Sequence, residues 1–138
     1  MKKVHVVRKG EESIEGYEKI EISPEGINMT AISPNECSLI LASDIVDAVP
    51  THDVPNALGL FASKLRIGGS LVTGGFDINL ISRAIVRGDL DTQSASEMVC
   101  SQSSCLDMDT VKNILKSLQL KIKSTTYEGF RYEIEATR

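Results

Sequence analysis

The chain has no tryptophan, only three tyrosines and three phenylalanines in 138 residues, and its lysines and arginines are scattered through a sequence of net charge −4. A nucleic-acid reader interleaves stacking aromatics with a basic stripe, so that class of function is disfavoured. No apolar run approaches the roughly eighteen residues that span a bilayer. Met1-Lys2-Lys3 opens a short alternating strand instead of a signal core, and a soluble, cytoplasmic protein with no membrane partner is expected. The cysteines are odd in number, Cys37, Cys100 and Cys105, and Cys37 lies in a run that reads as buried, which argues against a disulfide framework. The histidines, His5 and His52, lie far from Cys100 and Cys105, and no metal site is expected. A serine elbow, a Walker loop and a paired-carboxylate signature are also missing. A single domain over 1–138 is expected, large enough for a core but small for an enzyme that encloses a cofactor.

What is present is concentrated in 37–88. The run Leu39-Ile40-Leu41-Ala42 and the pair Leu71-Val72 are unbroken apolar stretches, the pattern of central parallel strands covered on both faces. Between them the spacing predicts a helix over 53–65: Asp53 can cap it, Pro55 suits its first turn, and Leu58, Phe61 and Leu65 repeat at three and four. Gly68-Gly69 is read as its stop and Gly74-Gly75 as a strand-to-helix turn. Asp77 then caps a second helix, with Ile78, Leu80, Ile81, Ala84 and Ile85 on one face and Gly88 closing it.

The flanks are plainer. Residues 3–7 and 17–22 read as strands joined either by a trimmed crossover or as a hairpin, since 8–16 is short for a parallel connection. A weak third strand is read over 27–32. Residues 89–104, rich in Ser and Gln and without period, read as a loop or lid. Asp107 or Asp109 caps a third helix with Val111, Ile114, Leu115 and Leu118 as its stripe. From Leu120 the period changes to two, turns at Tyr127-Glu128-Gly129-Phe130, and returns through Tyr132, Ile134 and Ala136, an antiparallel pair.

The order strand, helix, Leu65-Arg66-Ile67-Gly68-Gly69-Ser70-Leu71, strand, helix, antiparallel pair resembles class I S-adenosylmethionine-dependent methyltransferases, whose usual wording at that point is Leu-Lys-Pro-Gly-Gly-x-Leu. The resemblance implies a reduced Rossmann-like α/β fold: a mostly parallel sheet, a C-terminal antiparallel pair, and helices on both faces. It also implies where S-adenosylmethionine would bind. Val7 and Lys9 fall where the family has glycines, with Gly10 as a substitute if the loop has slipped by one residue; Glu21 falls where an acid grips the ribose hydroxyls. The segment Ser43-Asp44-Ile45-Val46-Asp47-Ala48 resembles the acidic segment after the fourth strand, with Ala48 in place of a histidine. The cofactor-binding candidates are therefore Gly10, Glu21 and Asp44, and the catalytic candidates are Asp47, placed at the solvent-facing sheet edge, and His52, near enough to replace the missing base. His5 reads as a packing residue.

Two functions follow. One is a methyltransferase-like domain whose cofactor loop has eroded, kept as a non-catalytic binding or assembly module with a protein partner or through self-association. The other is a small active methyltransferase with a divergent loop. A β-branched residue at position 7 resists the close backbone approach that glycine allows, which favours the first.

Overall fold

A computed structural model describes residues 2–138; Met1, read above as the first residue of the chain's opening, lies outside them. Seven strands, β1 (Lys2–Val7), β2 (Glu18–Ser23), β3 (Gly26–Ile27), β4 (Cys37–Ala42), β5 (Leu65–Phe76), β6 (Lys121–Glu128) and β7 (Arg131–Thr137), form one sheet in the order β3-β2-β1-β4-β5-β7-β6. The four inner neighbours β2, β1, β4 and β5 run parallel, while β3 and the β7–β6 pair are antiparallel. The helices are α1 (Val54–Lys64), α2 (Ile78–Arg87), α3 (Thr92–Cys100) and α4 (Met108–Ser117).

The apolar periodicity explains the core. Val4, Val6, Ile20, Ile22, Ile40, Ala42, Leu71, Ile134 and Ala136 all face one side of the sheet and are buried there with Leu58 and Phe61 of α1 and Val111 and Leu115 of α4. Capping follows the sequence as well. The Asp77 carboxylate accepts from the Asn79 and Leu80 amides, and its second oxygen accepts from the Met108 amide at 3.0 Å, fixing the start of α2 to the start of α4. Gly88 closes α2 at φ +81°.

Helical cover is uneven. β1→β2 and β4→β5 step in opposite directions across the sheet, so right-handed crossovers place them on opposite faces. The second crossover is α1, whereas the first is the helix-free segment 8–17. Of the two alternatives left open above, the trimmed parallel crossover is the one found. Its Ile14 amide donates to Nδ1 of His5, and Tyr17 packs edge-on to the same ring, so His5 is a satisfied packing residue. On that second face Leu39, Leu41 and Val72 are only half-buried.

Four local expectations change. The third strand shortens to β3, and Met29 and Ile32 are buried from a loop instead. Gly68-Gly69 does not stop the helix: α1 ends at Lys64, Leu65 already pairs with Cys37, and 66–69 bulge before pairing resumes at Ser70. The bulge is held by Arg138, whose carbonyl accepts from the Gly68 amide at 2.9 Å and whose amide donates to Gly69 at 3.0 Å. Gly74-Gly75 is strand, not turn. A Cβ at Gly74 would lie 2.1 Å from the Tyr132 carbonyl oxygen, and one at Gly75 would lie 3.2 Å from the Asp47 carboxyl carbon, so both glycines serve close approach. Residues 89–104 are not a loop: they carry α3, capped by Asp91 through the Ser94 amide at 2.7 Å. Only Ala95 of α3 is buried, too little for a legible stripe.

These contacts rank two glycines. Gly74→Ala is expected to destabilise by about 3 kcal/mol or to prevent folding, because two strand backbones must part. Gly68→Ala, at φ +83° in open space, should cost only the left-handed strain, about 1 kcal/mol. Urea unfolding of both variants checks this; equal losses would mean that β7 does not lie against Gly74.

Candidate functional site

The C-terminal ends of β1, β4 and β5 come together where open α/β sheets bind ligands. Val7 ends β1 and is 1% exposed; Arg8 follows it directly and turns inward. β4 ends at Ala42, and after Ser43-Asp44-Ile45 the chain makes a 3-10 turn, Val46–Ala48, which carries Asp47 beneath the end of β5. Gly75 leaves the room that the Asp47 carboxyl occupies.

Arg8 joins these ends. Its Nη2 donates to Oδ1 of Asp47 at 2.6 Å, to the Asp44 carbonyl at 3.1 Å and to Oε1 of Gln102 at 3.2 Å, and Nε reaches the Asp44 carbonyl at 3.3 Å. The second oxygen of Asp47 accepts from the Phe76 amide at 3.3 Å. The Asp47 carbonyl accepts from the amides of Ser103 at 2.8 Å and Ser104 at 3.2 Å, binding the segment after α3 to the turn. Outside this pair, Arg131 donates to the Asp44 carboxylate and stacks over the Phe76 ring, 4.1 Å from its centroid. Two guanidinium groups and two carboxylates thus satisfy one another.

Asp47 is 1% exposed, so its expected place at the solvent-facing edge is corrected: it is a buried ion-pair partner. Burial pushes its carboxyl above the usual aspartate range, opposed by the Phe76 amide and by Arg8.

The remaining candidates lie apart. Gly10 has φ +85°, as a slipped loop would need, but it is exposed with nothing within 4 Å of its Cβ position, so it makes no close approach. Glu21 is exposed and pairs with Lys19 at 3.5 Å. His52 has an 83% exposed side chain, and its one ion-pair neighbour among the described residues is Asp53 at 3.5 Å. The structure therefore unites Asp44 and Asp47 and leaves Gly10, Glu21 and His52 outside. Sequence reading missed Arg131 and Gln102. Arg131 comes opposite Phe76 only through the β5–β7 register, and Gln102 lay in the segment read as a lid.

Beside this network is a cavity of about 520 Å³, lined by Ile22, Ser23 and Ile27 at the ends of β2 and β3, by Val49, and by Asn56 and Leu60 of α1. Glu21 does not line it. Among the described residues no group of three or more His, Cys, Asp or Glu side chains is placed to hold a metal ion, and no helix is long and apolar enough to cross a membrane.

No family model matches the sequence, and no curated protein matches it. Solved structures do match in shape. A SAM-dependent methyltransferase from Archaeoglobus fulgidus superposes with a TM-score of 0.65 at 14% identity, over 99% of this chain and 86% of that one. Magnesium protoporphyrin IX methyltransferase from Synechocystis PCC 6803, solved with bound SAH, gives 0.54 at 15% identity over 88% and 51%. An O-methyltransferase family protein from Burkholderia thailandensis gives 0.55 at 10% identity over 75% and 31%, so the chain spans less than a third of that protein's length. At these identities the likeness is one of fold, and together with the strand order it shows that the chain has a class I methyltransferase-like Rossmann fold.

Proposed function

We propose that this protein is a methyltransferase-fold domain whose cofactor cleft has been converted into an internal ion-pair network, and that it works as a non-catalytic binding or assembly module. The observation that carries the reading is Arg8. The residue after β1, where the family's glycines would bring backbone amides to the cofactor, spends its guanidinium on Asp44, Asp47 and Gln102. Val7 is packed solid beside it. Gly10, Glu21 and Asp44 do not converge on one cavity, so the residues present fit S-adenosylmethionine poorly, and we derive no transfer step. The cavity of about 520 Å³ is what favours the second reading, a small active methyltransferase, since it falls within the roughly 300–1,000 Å³ of ligand pockets.

Calorimetric titration with S-adenosylmethionine and S-adenosylhomocysteine separates the two. Losing one or two charge-assisted backbone hydrogen bonds weakens binding by about tenfold to several thousandfold. The expected result is no saturable binding at micromolar cofactor. A low-micromolar dissociation constant, or cofactor retained through purification, would overturn the reading and favour the enzyme.

The network's own role is measurable. Arg8→Ala strands a buried carboxylate; because Arg8 is 29% exposed and can reach solvent, the loss at neutral pH is expected to be about 2 kcal/mol, less than for a fully buried pair. A folded-state pKa above the unfolded value means that ionising Asp47 opposes folding. The stability from this group is present at low pH and is lost as pH rises through the interval above about 4. Without Arg8 that interval extends upward, so the gap between variant and wild type should widen from pH 4 to pH 7. In a cycle with Asp47→Ala, the coupling should be about 1–3 kcal/mol. A pH-independent gap with no coupling would remove the ion pair from the account.

A further inference from the structure

The cavity of about 520 Å³ beside the ion-pair network is walled by residues other than the family's cofactor positions, since neither 7–10 nor Glu21 lines it. Its sides are the β2–β3 turn, the stretch Ala48-Val49-Pro50 and the start of α1. Along that helix Asp53, Asn56, Ala57 and Leu60 are spaced at three, four and seven, so they share one side of it, next to the side on which Leu58 and Phe61 enter the core. Ile22, Ile27 and Val49 complete an apolar lining with Ala57 and Leu60.

The charge on this wall has one sign. Glu25 and Asp53 line the cavity, and among the described residues no lysine, arginine or histidine does. Neither carboxylate is spent on holding the fold. Asp53 stands at the N-cap of α1 but makes no cap hydrogen bond, and its ion-pair neighbour, His52 at 3.5 Å, is exposed and off the wall. Glu25 has no ion-pair partner among the described residues, and its turn is closed without it by the Ser23 hydroxyl, which donates to the Gly26 carbonyl at 3.2 Å. On the opposite rim the Asp53 amide donates to the Pro50 carbonyl at 2.9 Å, so both rims are fixed before a ligand arrives. An apolar cavity edged by two free carboxylates repels an anion and favours an apolar body that ends in a positive charge.

We infer that this cavity binds an organic cation, a primary or substituted amine on an apolar body, with the body between Ile27, Val49 and Leu60 and the ammonium toward Glu25 and Asp53. The inference deepens the reading of the chain as a non-catalytic binding module, on which it rests for a role, but its test reads amine binding as well as cofactor binding, so the two can fail separately.

Calorimetric titration of the full chain with tryptamine, and with indole-3-propionate as a probe of similar shape and opposite charge, tests it. Tryptamine should bind saturably below about 1 mM and at least about tenfold more tightly than the carboxylate. Ala57→Phe, which fills the cavity and alters no charge, should abolish binding. Glu25→Gln combined with Asp53→Asn, both at exposed positions, should bring the two affinities together. Absence of tryptamine binding at about 1 mM overturns the inference, as does equal affinity of the wild type for both probes, or binding untouched by either variant. S-adenosylhomocysteine in the same cell distinguishes the failures: if neither it nor tryptamine binds, only the amine site falls, whereas displacement of bound tryptamine by S-adenosylhomocysteine overturns the amine site and the non-catalytic reading together.

Discussion

The carboxylate of Asp47 is the constraint around which the ligand end of the sheet is organised. A charge that is 1% exposed persists only where its oxygens are answered, and here one takes Arg8 and the other the Phe76 amide. Because the same residue's carbonyl holds Ser103 and Ser104, one turn ties β1, β5 and the segment after α3 together. Gly75 is a condition of this arrangement, since a Cβ there would press on the Asp47 side chain. A buried pair is weak evidence for net stability, because desolvation offsets much of the attraction. Its effect is to specify geometry: each partner has few other places to go.

That geometry makes the cleft self-sufficient. Arg8 and Arg131 neutralise Asp47 and Asp44, so the sheet end presents little uncompensated charge to a ligand. A site kept for catalysis ordinarily holds its titratable groups toward a cavity. Here the cavity of about 520 Å³ lies to one side, between α1 and the β2–β3 turn, and neither Asp44 nor Asp47 lines it, while Asp44 lines a second cavity of about 310 Å³ only with its partner Arg131 beside it. The fold alone does not fix the function. What bears on it is how these particular side chains have been used.

Much of the fold was legible because its signals are local. The period-two stretches became β6 and β7, Asp77 and Gly88 bounded α2 as their chemistry requires, and the apolar runs became central parallel strands. The two Gly-Gly pairs were misread because glycine reports permission, not its use. Gly74 and Gly75 admit a neighbouring backbone and a buried carboxyl that lie far away in sequence. α3 was missed because a helix with one buried residue has no stripe to read. Asp44 and Asp47 were found from their position after β4, but their partners Arg131 and Gln102 come from segments joined only by folding.

Leu39, Leu41 and Val72 are apolar but only half-buried, whereas their strand neighbours Ile40, Ala42 and Leu71 are buried. On the opposite face, positions of the same kind lie beneath α1 and α4. The trimmed crossover accounts for the difference: 8–17 holds no helix, the right-handed rule still sends it over this side, and Ile14 and Tyr17 meet His5 and Lys3 there. The two faces of one strand set are therefore packed unequally, one beneath α1 and α4 and the other against a segment without a helix.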